Sequence, residues 1–189
     1  MAQFNQAFEI TMGNEGGYSN NPNDHGGETW KGIARNFWPS WAGWNIVDEI
    51  KAHKPTNLNS ALSASAELQS LVLAFYKQNF WDTESLDSLN NQQTANQLFD
   101  AAVNMGTAVA ARFLQEAVNS IHPNTLVVDA QVGAKTIAAA NMQNPEALYN
   151  AVCSLRKQRY QQIIAANPSQ AIFENSWYNR IKPYAEALS

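Results

Sequence analysis

Glu15 and Asp24 stand nine residues apart in a glycine-rich stretch that runs Asn14-Glu15-Gly16-Gly17-Tyr18 and then Asp24-His25-Gly26-Gly27-Glu28-Thr29-Trp30-Lys31-Gly32-Ile33. A glutamate at the C-terminal end of a helix lies against the negative end of the helix dipole. Partial burial there favours its protonated form, as a general acid requires. A solvated glutamate at a helix end is the plainer reading, and on position alone it carries more weight. Asp24 either closes an Asx turn with the Gly26-Gly27 pair, or faces Glu15 to orient a water or stabilise positive charge. Two carboxylates flanking a sugar bond are the general arrangement for glycoside hydrolysis. Thr29 either holds such a water with its hydroxyl or is a plain strand residue. Glu28 competes with Asp24, but in an extended segment its side chain points away from that of Thr29, which makes it the weaker partner.

A second polar pair, Asp100 and Asn104, is spaced to share a helix face, beside the small residues Ala101, Ala102 and Gly106. Asn104 can hydrogen-bond a sugar amide; equally, the pair can tie neighbouring loops. Trp38, Trp41 and Trp44 recur every third residue, with Trp30 and Trp81 elsewhere. Aromatic faces stack on sugar rings, yet filling the interior of a loop-rich lobe is the favoured reading for two of the three. Other chemistries are poorly served. His25, His53 and His122 are scattered without metal-ligand spacing. No Gly-x-Ser-x-Gly elbow or glycine-rich phosphate loop is present. The expectation is therefore no metal and no cofactor.

The elements that must position these residues follow from apolar spacing. Phe4, Ala7, Phe8 and Met12 predict a first helix that stops near Gly13, with Glu15 at its end. From Gly16 to Pro55, Gly, Asn, Pro and Trp are frequent and no period is sustained, so this is an irregular loop or small hairpin region. Leu68, Leu71, Val72, Phe75 and Tyr76 form a helical stripe continuing towards Phe80. Thr94 with Gln97 reads as a capping box for a helix through Met105, interrupted at Gly106. Ala110, Phe113, Leu114, Ala117 and Val118 form the next stripe, ended by His122-Pro123. Asn144 and Pro145 suit N-cap and N1 of a long helix. Trp177, Ile181, Tyr184 and Leu188 mark a last helix, with Pro183 kinking it or limiting its start. The fold class is mainly α.

Composition bounds the rest. The chain has 189 residues, 45% hydrophobic and 15% charged, enough for one folded domain with two lobes rather than a disordered chain. Its net charge of -4 gives no footprint for nucleic acid, although Arg156, Lys157, Arg159, Arg180 and Lys182 leave room for a local basic face. Cys153, the single cysteine, reads as a small core residue. Residues 1–6 lack the basic and apolar regions of a classical signal peptide. No stretch reaches the ~18 apolar residues of a membrane span. The expectation is synthesis in the cytoplasm and, for any action outside, release by another component.

The opening motif closely resembles that of glycoside hydrolase family 108, the N-acetylmuramidases of phage endolysins and secretion-associated systems. Phe99-Asp100-Ala101-Ala102-Val103-Asn104-Met105-Gly106 with Leu114-Gln115 is similar to that family's central helix motif. Val128-Asp129-Ala130-Gln131-Val132-Gly133 resembles the following turn, with Ala130 where glycine is common. Trp177-Tyr178-Asn179-Arg180 resembles the closing pattern, with Ser176 replacing a glycine. The resemblance implies a lysozyme-like helical fold and cleavage of the β-1,4 bond between N-acetylmuramic acid and N-acetylglucosamine. It implies Glu15, Asp24 and Thr29 as the catalytic set, with Tyr18, Trp30, Asp100 and Asn104 binding substrate. Residues 1–90 would then be the catalytic portion of a single domain, and residues 91–189 a helical portion with a peptidoglycan-binding region. The implied partner is the peptidoglycan glycan strand, met by a monomer without membrane insertion after a holin-like release. Two competitors remain: a lytic transglycosylase, which uses one acid and leaves an anhydro end, and a non-catalytic wall-binding or secretion-assisting protein.

Overall fold

The computed structural model describes residues 1–13, 16–21 and 25–185. Among these the chain is mainly α, with one small sheet. It divides into two compact units, Phe8–Gln78 and a larger one made of Met1–Ala7 with Asn79–Ser189.

The first helix, α1, spans Phe4–Met12 and stops where the sequence predicts. In the smaller unit, the irregular region is more ordered than its composition suggests. Strands β1 (Tyr18–Asn20), β2 (Glu28–Trp30) and β3 (Ile33–Ala34) form an antiparallel sheet in the order β1-β2-β3. Tyr18 pairs with Trp30, Ser19 with Thr29, and Thr29 with Ala34. The β2–β3 turn is Lys31-Gly32, with φ of 44° and 79°. Positive φ at both central residues is the geometry that matches the twist of a two-residue hairpin. Tyr76 donates its hydroxyl to the Lys31 carbonyl at 2.7 Å and holds this turn in place.

Two helices were not legible in the region before Pro55 and its sequel: α2 (Gly43–Ala52) and α3 (Leu58–Ala64). The tryptophan spacing belongs to the approach to α2. Trp44 is buried, Trp41 half-buried with its ring edge-on to Trp44 at 5.2 Å, and Trp38 exposed and edge-on to Phe75. Helix α4 (Ala66–Tyr76) is capped by Ser65, which accepts from the Leu68 N–H. It runs into a π-helical turn over Lys77–Trp81. Trp30, Ile33, Trp44, Val47, Leu62, Leu68 and Val72 are buried and build the core of this unit.

In the larger unit, α5 (Gln92–Met105), α6 (Thr107–Ile121) and α8 (Pro145–Ala166) pack on one another, with α7 (Ala134–Asn141) against α6. Alanines 101, 102, 110, 111 and 117 are fully buried and allow close approach of the backbones. The cap of α5 differs from expectation. Asn91, not Thr94, is the N-cap, and Thr94 instead donates its N–H to the Asn91 side chain at 2.8 Å. Asn90-Asn91 disguised the start because both residues favour caps. Asn144 does cap α8, accepting from Ala147 at 3.0 Å, with Pro145 at the first helical position. Gly106, at φ 93°, separates α5 from α6.

The end of the chain departs from the predicted last helix. A 3-10 turn over Pro168–Phe173 leads into a short α9 (Glu174–Asn179), and residues 181–185 are not helical. Pro183 disfavours helical geometry at Lys182, so Ile181 and Tyr184 follow the helix instead of extending it. Leu188 lies outside the described residues. The Asp129-Ala130 turn keeps the left-handed geometry for which glycine is suited: Ala130 has φ 63°. Buried Gln115 holds the turn by donating to Asp129 Oδ1 at 2.7 Å and to the Gln131 carbonyl at 3.0 Å, and by accepting from the Ala130 N–H at 3.0 Å.

Candidate active site

The smaller unit carries a cleft of about 520 Å³ over its sheet, lined by Gly16, Gly17, Tyr18, Ser19, Thr29 and Phe37 among others. Register decides which side chains share a face. Ser19, Thr29 and Ala34 lie in one row across the three strands, while Tyr18, Trp30 and Ile33 lie in the next. Side chains alternate between faces along a strand, so Thr29 and Glu28 project oppositely, as the sequence predicts.

Glu28 is fully engaged. It accepts from Tyr18 Oη at 2.6 Å and from Lys51 Nζ at 2.5 Å, and its other oxygen lies 2.7 Å from Arg35 Nε. Burial raises its pKa, but the hydrogen bonds from Lys51 and Tyr18 and the charge of Arg35 outweigh this and hold it below the usual carboxylate range. A carboxylate so neutralised makes a poor acid or base near neutral pH. Its role is structural. Arg35 also makes a two-toothed pair with Asp48 of α2, at 3.0 and 2.6 Å, and lies over the Trp44 ring at 4.4 Å. The Tyr18 hydroxyl, fixed by Glu28, has its pKa raised by burial and by that carboxylate, so it remains a neutral phenol.

The glycines beside the cleft have steric reasons. A Cβ on Gly17 would fall 2.0 Å from Asn59 Oδ1. That oxygen accepts the Tyr18 N–H at 2.7 Å, so α3 pins the start of β1 to the floor of the cleft. Gly27 has φ 67°, and a Cβ there would meet the Asn36 side chain at 2.7 Å. Asn36 donates to the His25 carbonyl at 3.0 Å and ties the loop before β2.

The residues expected at the site fall into three groups. Glu15 and Asp24 lie outside the described residues. Thr29 and Tyr18 line the cleft. Trp30, Asp100 and Asn104 do not. Trp30 is fully buried and has no face on which a sugar could stack; this corrects the stacking expectation, since its side chain is packed into the core of the smaller unit. Asp100 belongs to the larger unit and is buried in an ion network. It accepts from Arg156 Nη2 at 2.5 Å and from Arg180 Nη1 at 2.8 Å. Fully buried Arg156 also donates to the Gln97 side chain and to Tyr160 Oη at 3.0 Å. This network joins α5, α8 and the residue after α9. Asn104, exposed on α5, donates to the Asp100 carbonyl at 2.7 Å, and its Oδ1 has no partner among the described residues.

Sequence reasoning missed two residues of consequence. Asn59 gave no signal beyond its N-terminal place in an unrecognised helix. Glu84 is buried and has no hydrogen-bond or ionic partner among the described residues; burial pushes its pKa up to about 7. It does not line the cleft, and its shift by itself assigns it no chemistry. Among the described residues there is no group of three His, Cys, Asp or Glu placed to hold a metal ion, and no helix long and apolar enough to cross a membrane.

Comparison with known families places the protein among the glycoside hydrolases. It belongs to the glycosyl hydrolase 108 family, whose model matches residues 8–106, just over half of the chain. A second family model, described as a predicted peptidoglycan domain, matches residues 109–182. Together they make the chain a peptidoglycan hydrolase. The two matches meet at the α5–α6 junction around Gly106. The solved structure of Brucella abortus SagA is similar in fold, with a TM-score of 0.61 at 23% identity over 94% of this chain and 88% of that one. No curated protein matches the chain.

Proposed function

We propose that the enzyme is an N-acetylmuramidase that cleaves the β-1,4 bond between N-acetylmuramic acid and N-acetylglucosamine. Glu15 donates its proton to the glycosidic oxygen as the bond to the sugar C1 breaks and positive charge develops at C1. Asp24 takes a proton from the attacking water or stabilises that charge, and Thr29 holds the water through its hydroxyl. By analogy with phage lysozymes the reaction inverts the anomeric centre. Tyr18, its hydroxyl proton committed to Glu28, meets the sugar as an acceptor. On the larger unit, the exposed Oδ1 of Asn104 is an acceptor for a sugar amide N–H. Trp30 supports the cleft from the core of the smaller unit, and Asp100 holds the ion network of the larger one.

The observation that carries this reading is the row Ser19–Thr29 at the floor of the cleft, with Thr29 presented to it and Glu28 turned away and neutralised. With Glu28 committed to its structural partners, Glu15 and Asp24 are the other carboxylates of the motif. The test is digestion of purified sacculi followed by borohydride labelling and mass spectrometry. Hydrolysis at the proposed bond yields labelled muramitol and products carrying one added water. Labelled glucosaminitol would move the cleavage to the other bond, and unlabelled anhydro ends would make the enzyme a lytic transglycosylase.

A further inference from the structure

The larger unit has its own cleft, of about 440 Å³, between one face of α8 and the segment Ile181-Lys182-Pro183. Asn150, Ser154 and Lys157 are exposed along it, and Lys182 faces them from the segment. Spacings of three and four place the α8 residues on one face. Tyr149 and Cys153 form the floor; both are nearly buried. Tyr149 donates its hydroxyl to the Lys182 carbonyl at 2.6 Å, and its ring lies 5.4 Å from that of Tyr184. The wall bearing Lys182 is therefore tied to the helix. Burial pushes the Cys153 thiol up, so the floor is neutral.

The charge balance is unusual for this chain. Between residues 150 and 185 there are five Lys or Arg and only Glu174 as an acid, although the net charge of the whole is -4. Arg156 and Arg180 are consumed by Asp100. Lys157 and Lys182 have no ion-pair partner among the described residues, and no carboxylate lines the cleft. Two unneutralised ammonium groups, with a hydroxyl and an amide beside them, form a site for an extended ligand bearing more than one carboxylate. The volume suits a few peptide residues. Glycan rings are uncharged apart from what is attached to them, whereas the peptide stems of peptidoglycan carry free carboxylates.

We propose that this cleft binds the anionic peptide stem of peptidoglycan, gripping its carboxylates between Lys157 and Lys182. The proposal rests on peptidoglycan being the substrate, and it assigns this cleft to the stem and not to the sugar. It makes recognition of the wall sensitive to salt, since the gripping charges are exposed.

The test uses the full chain, isotope-labelled for amide NMR, and two probes: a free stem tetrapeptide and the uncharged disaccharide N,N'-diacetylchitobiose. The tetrapeptide should shift the amides of residues 149–157 and 181–182, and the disaccharide should leave them in place. The double variant Lys157→Gln/Lys182→Gln should weaken tetrapeptide binding at least about tenfold, the effect of losing ~1.4 kcal/mol. Lys157→Arg/Lys182→Arg should retain it, with circular dichroism unchanged in both. Unmoved amides in this cleft, equal shifts from the disaccharide, or wild-type affinity in the glutamine variant would overturn the proposal. Failure of the muramidase reading would register separately, as absence of muramitol from digested sacculi with stem binding intact.

Discussion

Replacing Glu84 by Gln should make the protein more stable at alkaline pH and leave it unchanged in mild acid. Glu84 is only 4% exposed, and burial raises its carboxyl from 4.5 to about 7. A proton held more tightly in the folded state than in the unfolded one stabilises the fold fully below about pH 4.5. That stabilisation drains away as pH rises towards 7 and is gone above it. At 1.36 kcal/mol per pH unit, a rise from 4.5 to about 7 corresponds to about 3 kcal/mol. Glutamine reproduces the neutral carboxyl in shape and polarity but cannot ionise. Glu84→Gln should therefore match wild type near pH 4.5 and exceed it by up to about 3 kcal/mol at pH 8. In a chain of this size that is a gain of roughly 6–12 °C in Tm. The assay is thermal unfolding followed by circular dichroism for both proteins from pH 4.5 to 8.5. Parallel curves across that range, or a variant less stable than wild type at pH 8, would refute the argument that an uncompensated buried carboxyl is the source of the slope.

Three other substitutions probe separate parts of the molecule. Asp100→Ala leaves Arg156 buried without its carboxylate and should cost about 3–5 kcal/mol, read as a fall in the urea midpoint. Ala130→Gly relieves a left-handed residue and should raise stability by about 0.5–1 kcal/mol after the added freedom of the unfolded chain is counted; no gain would mean that Gln115 already absorbs the strain. Thr29→Val keeps the strand and removes the hydroxyl at the cleft, and should lower the rate of sacculus clearing at least about tenfold with unfolding unchanged.

Much of the helical frame was legible because its signals are local. Asn144-Pro145 announces a helix start, Gly106 an interruption, and Phe4 to Met12 a single apolar stripe. The misreadings have equally local causes. Asn91 and Thr94 are both good caps, and only the observed hydrogen bond separates them. Pro183 ended a stripe whose apolar spacing ran on regardless. The small sheet was legible only as a small hairpin region because its strands are two or three residues long, too short for alternation to register. At the site, alternation alone separated Glu28 from Thr29 correctly, since adjacent strand residues must face opposite ways. Trp30 went the other way: an aromatic residue beside a motif looks like a sugar platform, and only its tertiary neighbours reveal it as core. Asp100 was read as half of a polar face because its partners, Arg156 and Arg180, lie 56 and 80 residues distant.

The central claim is that Glu15 is the general acid, and Glu15→Gln tests it most directly. The rate of muramitol release from purified sacculi should fall at least ~10²-fold, with the melting curve and tetrapeptide binding both unchanged. Muramitol release within a few-fold of wild type would contradict the account and take the proton donor away from Glu15.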